Sequence, residues 1–210
     1  MKLLAFDTSS IACSVATVVG GHVSERHEEK AREHTRILMP MIRSCLDESG
    51  VSLAELDAIV VGNGPGSFIG MRIAASVAQG LAHGAGLEIV PVSSMAAVAA
   101  RAGSSGDNVV VAQDAHMDEV YLGLYRIDAN GIPAPAIDER LHGQGAISEL
   151  GSASGKTIAA GFGWQRYPKL LEANRDRIDS VSAVLHPSAR ELLELGRVGL
   201  EAGEIGRAHV

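Results

Sequence analysis

Two features of this 210-residue chain could do chemistry: acidic residues that close apolar runs, and a glycine-rich loop. Asp7 ends "KLLAFD" and Asp114 ends "VVVAQD". A carboxylate at the end of a buried strand either faces a nucleotide and its metal or caps the turn that follows. In "GNGPGSFIGMR", Gly64, Gly66, Ser67 and Gly70 can expose backbone amides at a helix start, with Arg72 close by in sequence. That makes it a candidate anion or nucleotide loop, although glycines serve equally where backbones approach closely. Two better-defined loops are excluded. A dinucleotide fingerprint needs GxGxxG and an acid closing the next strand, but the next strand ends "IVPVS". A phosphate loop needs GxxxxGK[ST], whereas Met71 and Arg72 follow Gly70. The segment "GSASGKT" has one residue too few between its glycines and leads into a strand, so it reads as an ordinary loop.

Catalytic or metal-ligating groupings are not visible. Cys13 and Cys45 have no ligand or CxxC spacing and read as buried thiols. A lone His34 at a helix start is a packing or capping group, or else a partner contact. Trp164, beside two glycines, reads as a packing anchor, and "ERHEEKAREH" as a solvated charged connector. Composition narrows the class. With 46% hydrophobic and 20% charged residues the chain is globular. No apolar run reaches the ~18 residues of a membrane span, so a cytoplasmic location is expected. A net charge of −7 argues against unaided binding of a phosphate backbone.

The elements that must carry these residues follow from periodicity. "KLLAFD" reads as a buried strand, and "ACSVATVVGGHVSERHEE" as a hairpin turning at Gly20-Gly21. Ile37, Leu38, Met41, Ile42, Cys45 and Leu46 mark an amphipathic helix from about Arg32 to Ser49, interrupted by Pro40. "LDAIVVG" and "LEIVPVS" are strands on either side of the glycine loop and its helix. The order is β-β-β-α-β-α-β over the first hundred residues. In that second helix Ala74, Ala75, Ala78, Gly80 and Ala82 leave a narrow surface, with Ile73, Val77 and Leu81 every fourth residue. Such a surface suits close helix packing, within the chain or with another.

The second half looks like a copy of the first. Asp7 and Asp114 lie 107 positions apart, each followed seven residues later by another strand, Ser14–Thr17 and Tyr121–Tyr125. Polar residues 102–107 mark a boundary, giving subdomains 1–102 and 103–210. The second should add strands near Ile137–Leu141 and at "KTIAAG", and helices near Tyr167–Glu172 and Ser188–Ala202.

"LLAFDTSSIACSVA", "REHTRILMPMI", "GNGPGSFIGMRIAASVAQGLAHG" and "DAHMDEVYLGLY" together resemble the TsaB (YeaZ) family. The resemblance runs in order through residues 1–125 and continues weakly in "AAGFGWQRYP". It implies an α/β ASKHA fold, an actin-like duplication of a ribonuclease-H-like sheet. It also implies a non-catalytic paralogue of TsaD, supporting the transfer of threonylcarbamoyl to adenosine 37 of ANN-decoding tRNAs. TsaD and the ATPase TsaE would be the partners, with a homodimer when alone and tRNA met only through the complex. The resemblance implies no cofactor of this chain's own and leaves room for ATP at the TsaB–TsaD–TsaE assembly. The paralogue's HxxxH metal motif would fall on Ser94 and Val98, which cannot supply imidazoles.

By the same resemblance, the helix after the glycine loop packs with the Arg32–Ser49 helix to make the partner surface. His34, Leu38, Met41, Ile42, Cys45, Ile73, Val77 and Leu81 are its candidates. The alternatives are a stand-alone homodimeric regulatory module and an M22-like metallopeptidase. The chain departs from the family at Ile69, usually threonine, at His116, usually arginine, and in ending "EAGEIGRAHV" rather than PxYxR.

Overall fold

The computed structural model describes residues 1–30, 32–151 and 154–203. The chain divides into two compact units. The first contains Met1–Ala97 and the segment from Pro187 onward. Its strands are β1 (Lys2–Asp7), β2 (Ala12–Val19), β3 (His22–Glu29), β4 (Ala58–Gly62) and β5 (Glu88–Val92), ordered β3-β2-β1-β4-β5. The first three are antiparallel and the last two run parallel to β1. Helix α1 (His34–Ser49) connects β3 to β4, and α2 (Phe68–Ala85) connects β4 to β5. Helix α3 (Ser94–Ala102) carries the chain across the unit boundary. The expected order of elements is therefore found. Gly20 and Gly21 both have positive φ (57° and 85°), the conformation a two-residue hairpin turn demands.

The period-two alternation of β1 divides the core. Leu4 and Phe6 join Val15, Ile59 and Val61 on the face under α1 and α2. Leu3 and Ala5 join Ala16, Ala58 and Val60 on the opposite face, where Leu192 and Leu193 of α6 (Ala189–Glu201) cover them. A Cβ at Gly196 would overlap the Val60 side chain, so α6 lies close to the strands. Proline 40 occupies the exposed side of α1, where its missing N–H disturbs no core contact.

The second unit, Val98–His186, repeats this path. It contains β6 (Asn108–His116), β7 (Glu119–Ile127), β8 (Pro133–His142), β9 (Thr157–Ala160), α4 (Phe162–Arg166), α5 (Pro168–Asn174) and β10 (Ser180–Val181). Their order, β8-β7-β6-β9-β10, reproduces β3-β2-β1-β4-β5 element for element. This is the duplicated ribonuclease-H-like architecture of the ASKHA fold. Among the described residues no helix stands between β8 and β9 where α1 stands in the first unit; Ile147 and Leu150, on the connecting loop, complete that core instead. "GSASGKT" does lead into a strand, β9, although Ser152 and Ala153 lie outside the described residues.

Three sequence expectations need correction. The division at residue 102 misplaces α6, which returns to the first sheet because its apolar stripe matches the uncovered face there. The connector read at residues 25–34 is too long, because residues 25–29 belong to the edge strand that closes the expected hairpin. Its polar composition suits an edge strand, which needs few apolar side chains. Helix α4 was not anticipated, being too short to establish a period.

Glu25 on that edge strand latches α6. Its carboxylate accepts from the Ser188 hydroxyl (2.7 Å) and Arg190 Nε (3.1 Å), while Ser14 Oγ accepts from the Ala189 amide (2.8 Å). Burial alone raises the Glu25 pKa, but the bonds from Ser188 and Arg190 and the Arg190 charge leave it below its ordinary value. A depressed carboxyl pKa stabilises the fold above the unfolded pKa, near 4.3 for glutamate, and the contribution is lost as pH falls through the folded value. Glu25→Gln should therefore lower stability at pH 7 by on the order of 1 kcal/mol, Arg190 being half exposed. Thermal melts should show the gap from wild type closing below about pH 4; a gap independent of pH would exclude the charged latch.

Candidate functional site

Among the described acidic residues of the first unit the most deeply buried is Asp7, 1% exposed at the end of β1. One carboxylate oxygen accepts from the amide and hydroxyl of Ser9, both at 2.7 Å. The other accepts from the Ser94 hydroxyl at 2.5 Å. Ser94 Oγ in turn accepts from the Gly64 amide (3.0 Å). Burial pushes the Asp7 carboxyl above its ordinary range, against the opposing pull of the Ser94 and Ser9 bonds and of nearby His34. Asp7 thus caps the turn that follows it, and Ser94, at the first position where the paralogue's motif would put a histidine, is spent on that same carboxylate.

The glycine loop closes directly over this turn. A Cβ at Gly62 would overlap the Asp7 carboxylate, one at Gly66 the Ser9 carbonyl, and one at Gly70 the Thr8 carbonyl. The Ser67 amide donates to Ser9 O (2.6 Å), the Thr8 hydroxyl donates to Gly70 O (2.7 Å), and Ser67 Oγ caps the Gly70 amide (3.2 Å). The amides of Gly64, Ser67 and Gly70 are thus engaged within the fold above a buried acid, an arrangement built for close backbone approach more than for holding an anion. Arg72 stands apart on the surface, its guanidinium 3.8 Å over the Phe68 ring.

The candidate partner residues fall into two groups. His34, Leu38, Met41, Ile42 and Cys45 are buried in the protein's own core, with His34 Nε2 3.3 Å from Ala12 O. The apolar stripe of α1 faces its sheet, so these five are not surface residues. Ile73, Val77 and Leu81 are partly buried, packed at the margin of that core. Between α1 and α2 runs a groove of about 450 Å³, lined by Thr35, Leu38, Met39, Ile69, Arg72, Ile73, Ser76 and Val77. Beside it Phe68 and Ile69 are 62% and 70% exposed. Sequence reading missed Thr35, Met39, Phe68 and Ser76, which lie just off the apolar period. The usable signal was Phe68-Ile69 itself, two large apolar residues at an exposed helix start.

In the second unit, Asp114 Oδ1 accepts from the His116 amide (2.9 Å) and the Tyr167 hydroxyl (2.7 Å), which holds the Tyr167 phenol up at about 12. Asp114 caps a turn, as Asp7 does, but the two are not equivalent in register. Phe6 pairs with Val61 before Gly62, whereas Val111 pairs with Ala160 before Gly161. The counterpart of Asp7 is therefore Ala112, two residues earlier, whose backbone lies against Gly161 and Gly163. Trp164 is buried, donating to Val110 O at 3.1 Å. Among the described residues no three His, Cys, Asp or Glu side chains are grouped to hold a metal, and no helix is long and apolar enough to cross a membrane.

Because the Thr8 carbonyl is backbone and cannot swing aside, Gly70→Ala should cost about 2–3 kcal/mol. Gly80→Ala, whose Cβ meets nothing within 4 Å in the same helix, should be neutral or stabilising by up to about 1 kcal/mol. Denaturant melts of the two variants check this, and equal effects would contradict the close approach.

Comparison with known proteins places this geometry in a family. Residues 17–202 match the family model described as "TsaD: tRNA N6-adenosine threonylcarbamoyltransferase". The "tRNA threonylcarbamoyladenosine biosynthesis protein TsaB" of Escherichia coli is 38% identical, covering 93% of this chain and 85% of the relative. The Haemophilus influenzae protein of the same name is 37% identical, covering 94% and 86%. A solved structure described as "YeaZ from Pseudomonas aeruginosa" superposes with a TM-score of 0.86 at 35% identity, covering 99% of this chain and 95% of that one. On the extent of these matches and the shared duplicated fold, the chain belongs to the TsaB (YeaZ) family.

Proposed function

We propose that this chain serves tRNA threonylcarbamoyladenosine synthesis as a non-catalytic subunit that docks TsaD along its α1–α2 groove. The observation that carries the reading is the groove itself: an apolar channel flanked by exposed Phe68 and Ile69, in a chain whose relatives are named for this biosynthesis. Large exposed apolar side chains beside a groove are the usual anchors of a protein interface. Ile73 and Val77 contribute its floor, and Arg72 sets a positive edge that favours a partner with a carboxylate opposite. TsaE joins through the TsaB–TsaD pair, and a second copy of this chain occupies the same surface when TsaD is absent.

The engaged amides of the glycine loop support a chain that needs no cofactor of its own, with ATP met in the assembly. Its net charge of −7 supports contact with tRNA through the complex, and the whole operates in the cytoplasm. The peptidase alternative finds no support in the described side chains, which offer no grouped metal donors.

Reconstitution tests this reading: TsaD, TsaE, an adenylate-forming enzyme, threonine, bicarbonate, ATP and an ANN-decoding tRNA, with and without this chain, scored by nucleoside mass spectrometry. Modification should require the chain; equal modification without it overturns the reading. Ile69→Glu with Val77→Glu should weaken co-elution with TsaD at least about tenfold while the circular dichroism melt stays cooperative. Unchanged co-elution would move the interface elsewhere.

A further inference from the structure

The docking helix does not position itself. Its first turn is held from below by the Asp7–Ser9 turn and by Ser94, through contacts that form one connected path. Asp7 Oδ1 fixes Ser9, and the Ser9 carbonyl takes the Ser67 amide at 2.6 Å. Ser67 caps α2, so the helix start is tied to the turn at its cap. Along the other branch, Asp7 Oδ2 fixes Ser94, whose hydroxyl oxygen accepts from the Gly64 amide (3.0 Å) and whose amide donates to the Gly64 carbonyl (2.9 Å). Both branches end on the loop that delivers Phe68, Ile69 and Arg72 to the surface.

We propose that Asp7 is the positioning residue of the docking surface: its buried carboxylate, bridging Ser9 and Ser94, fixes the glycine loop and thereby the place and angle at which α2 presents Ile69, Arg72 and Ile73. This rests on the docking reading above for its functional consequence, but not for the linkage itself. The geometry favours a carboxyl group over an amide. All the contacts just described to Asp7 come from donors, two at Oδ1 and one at Oδ2. An asparagine of the same shape would turn its NH2 toward the Ser94 hydroxyl, which already accepts from Gly64. The Ser94 proton would then lose its acceptor, and the branch to Gly64 would loosen.

The test uses the full-length chain carrying Asp7→Asn, Ser94→Ala, or Leu192→Ala. The last is a core change on the opposite face of the sheet and touches none of the loop contacts. Amide hydrogen exchange is followed across residues 64–73 in the free chain, and the Kd for TsaD is measured alongside, with all variants compared at equal distance below their melting temperatures. Expected are exchange about tenfold faster in that segment, and a Kd about tenfold weaker, for Asp7→Asn and for Ser94→Ala, with Leu192→Ala changing neither. If Asp7→Asn fails to fold, Ser94→Ala carries the test, since it leaves the Asp7–Ser9 turn intact. Unaltered exchange at 64–73, or an equal loss of affinity in Leu192→Ala, overturns the proposal. If wild type itself does not bind TsaD, the docking reading falls, and the exchange arm alone decides whether Asp7 holds the loop.

Discussion

A buried carboxylate is the constraint around which the first unit is arranged. Burying a carboxyl group costs free energy unless its oxygens are met by hydrogen-bond partners. Asp7 meets that condition by drawing in Ser9 from its own turn and Ser94 from the start of α3. Those two demands bring the ends of β1 and β5 together at one point. The glycine loop must then pass over the top without side chains, because the space a Cβ would need is filled by Asp7, Thr8 and Ser9.

The small residues of α2 belong to the same constraint. Gly70, Ala74, Ala78 and Ala82 form its buried stripe and let the helix lie close to the sheet. Ile73, Val77 and Leu81, one turn-position around, reach the margin of the core and fill the seam toward α1. One helix thus has a smooth face for its own sheet, an apolar seam, and an exposed start carrying Phe68 and Ile69. In such a helix the buried stripe and the exposed apolar residues lie on different faces, and a single apolar count merges them.

Duplication gave the second unit the same strand order but not the same chemistry. The position equivalent to Asp7 is Ala112, so no acid is buried there, and Gly161 closes on plain backbone. Asp114 lies two residues further, on the same face of the strand but at the rim, paired with Tyr167. Among the described residues, no helix stands where α1 stands in the first unit. A sheet frame tolerates such losses when other apolar residues, here Ile147, Leu150 and Trp164, complete the core.

How much was legible divides along physical lines. Alternation and fourfold spacing are local, so the strands of the first unit, the Gly20-Gly21 hairpin, α1, α2 and the repeat of the strand pattern, though not the register of its acids, could be read from residue order alone. The family resemblance carried the fold for the same reason: its motifs are contiguous. What the order of residues could not supply was the partner of each face. The stripe Leu38, Met41, Ile42, Cys45 looks the same whether it meets its own sheet or another chain, and only packing assigned it to the sheet. Glu25 reads as one more solvated acid until α6 returns from residue 189 to meet it. Asp7 and Ser94, 87 positions apart, become one unit only in three dimensions. Sequence by itself determined the elements and their family, because those depend on neighbours in the chain. Tertiary structure decided which faces are buried, which acid is locked and which groove stays open, because those depend on neighbours in space.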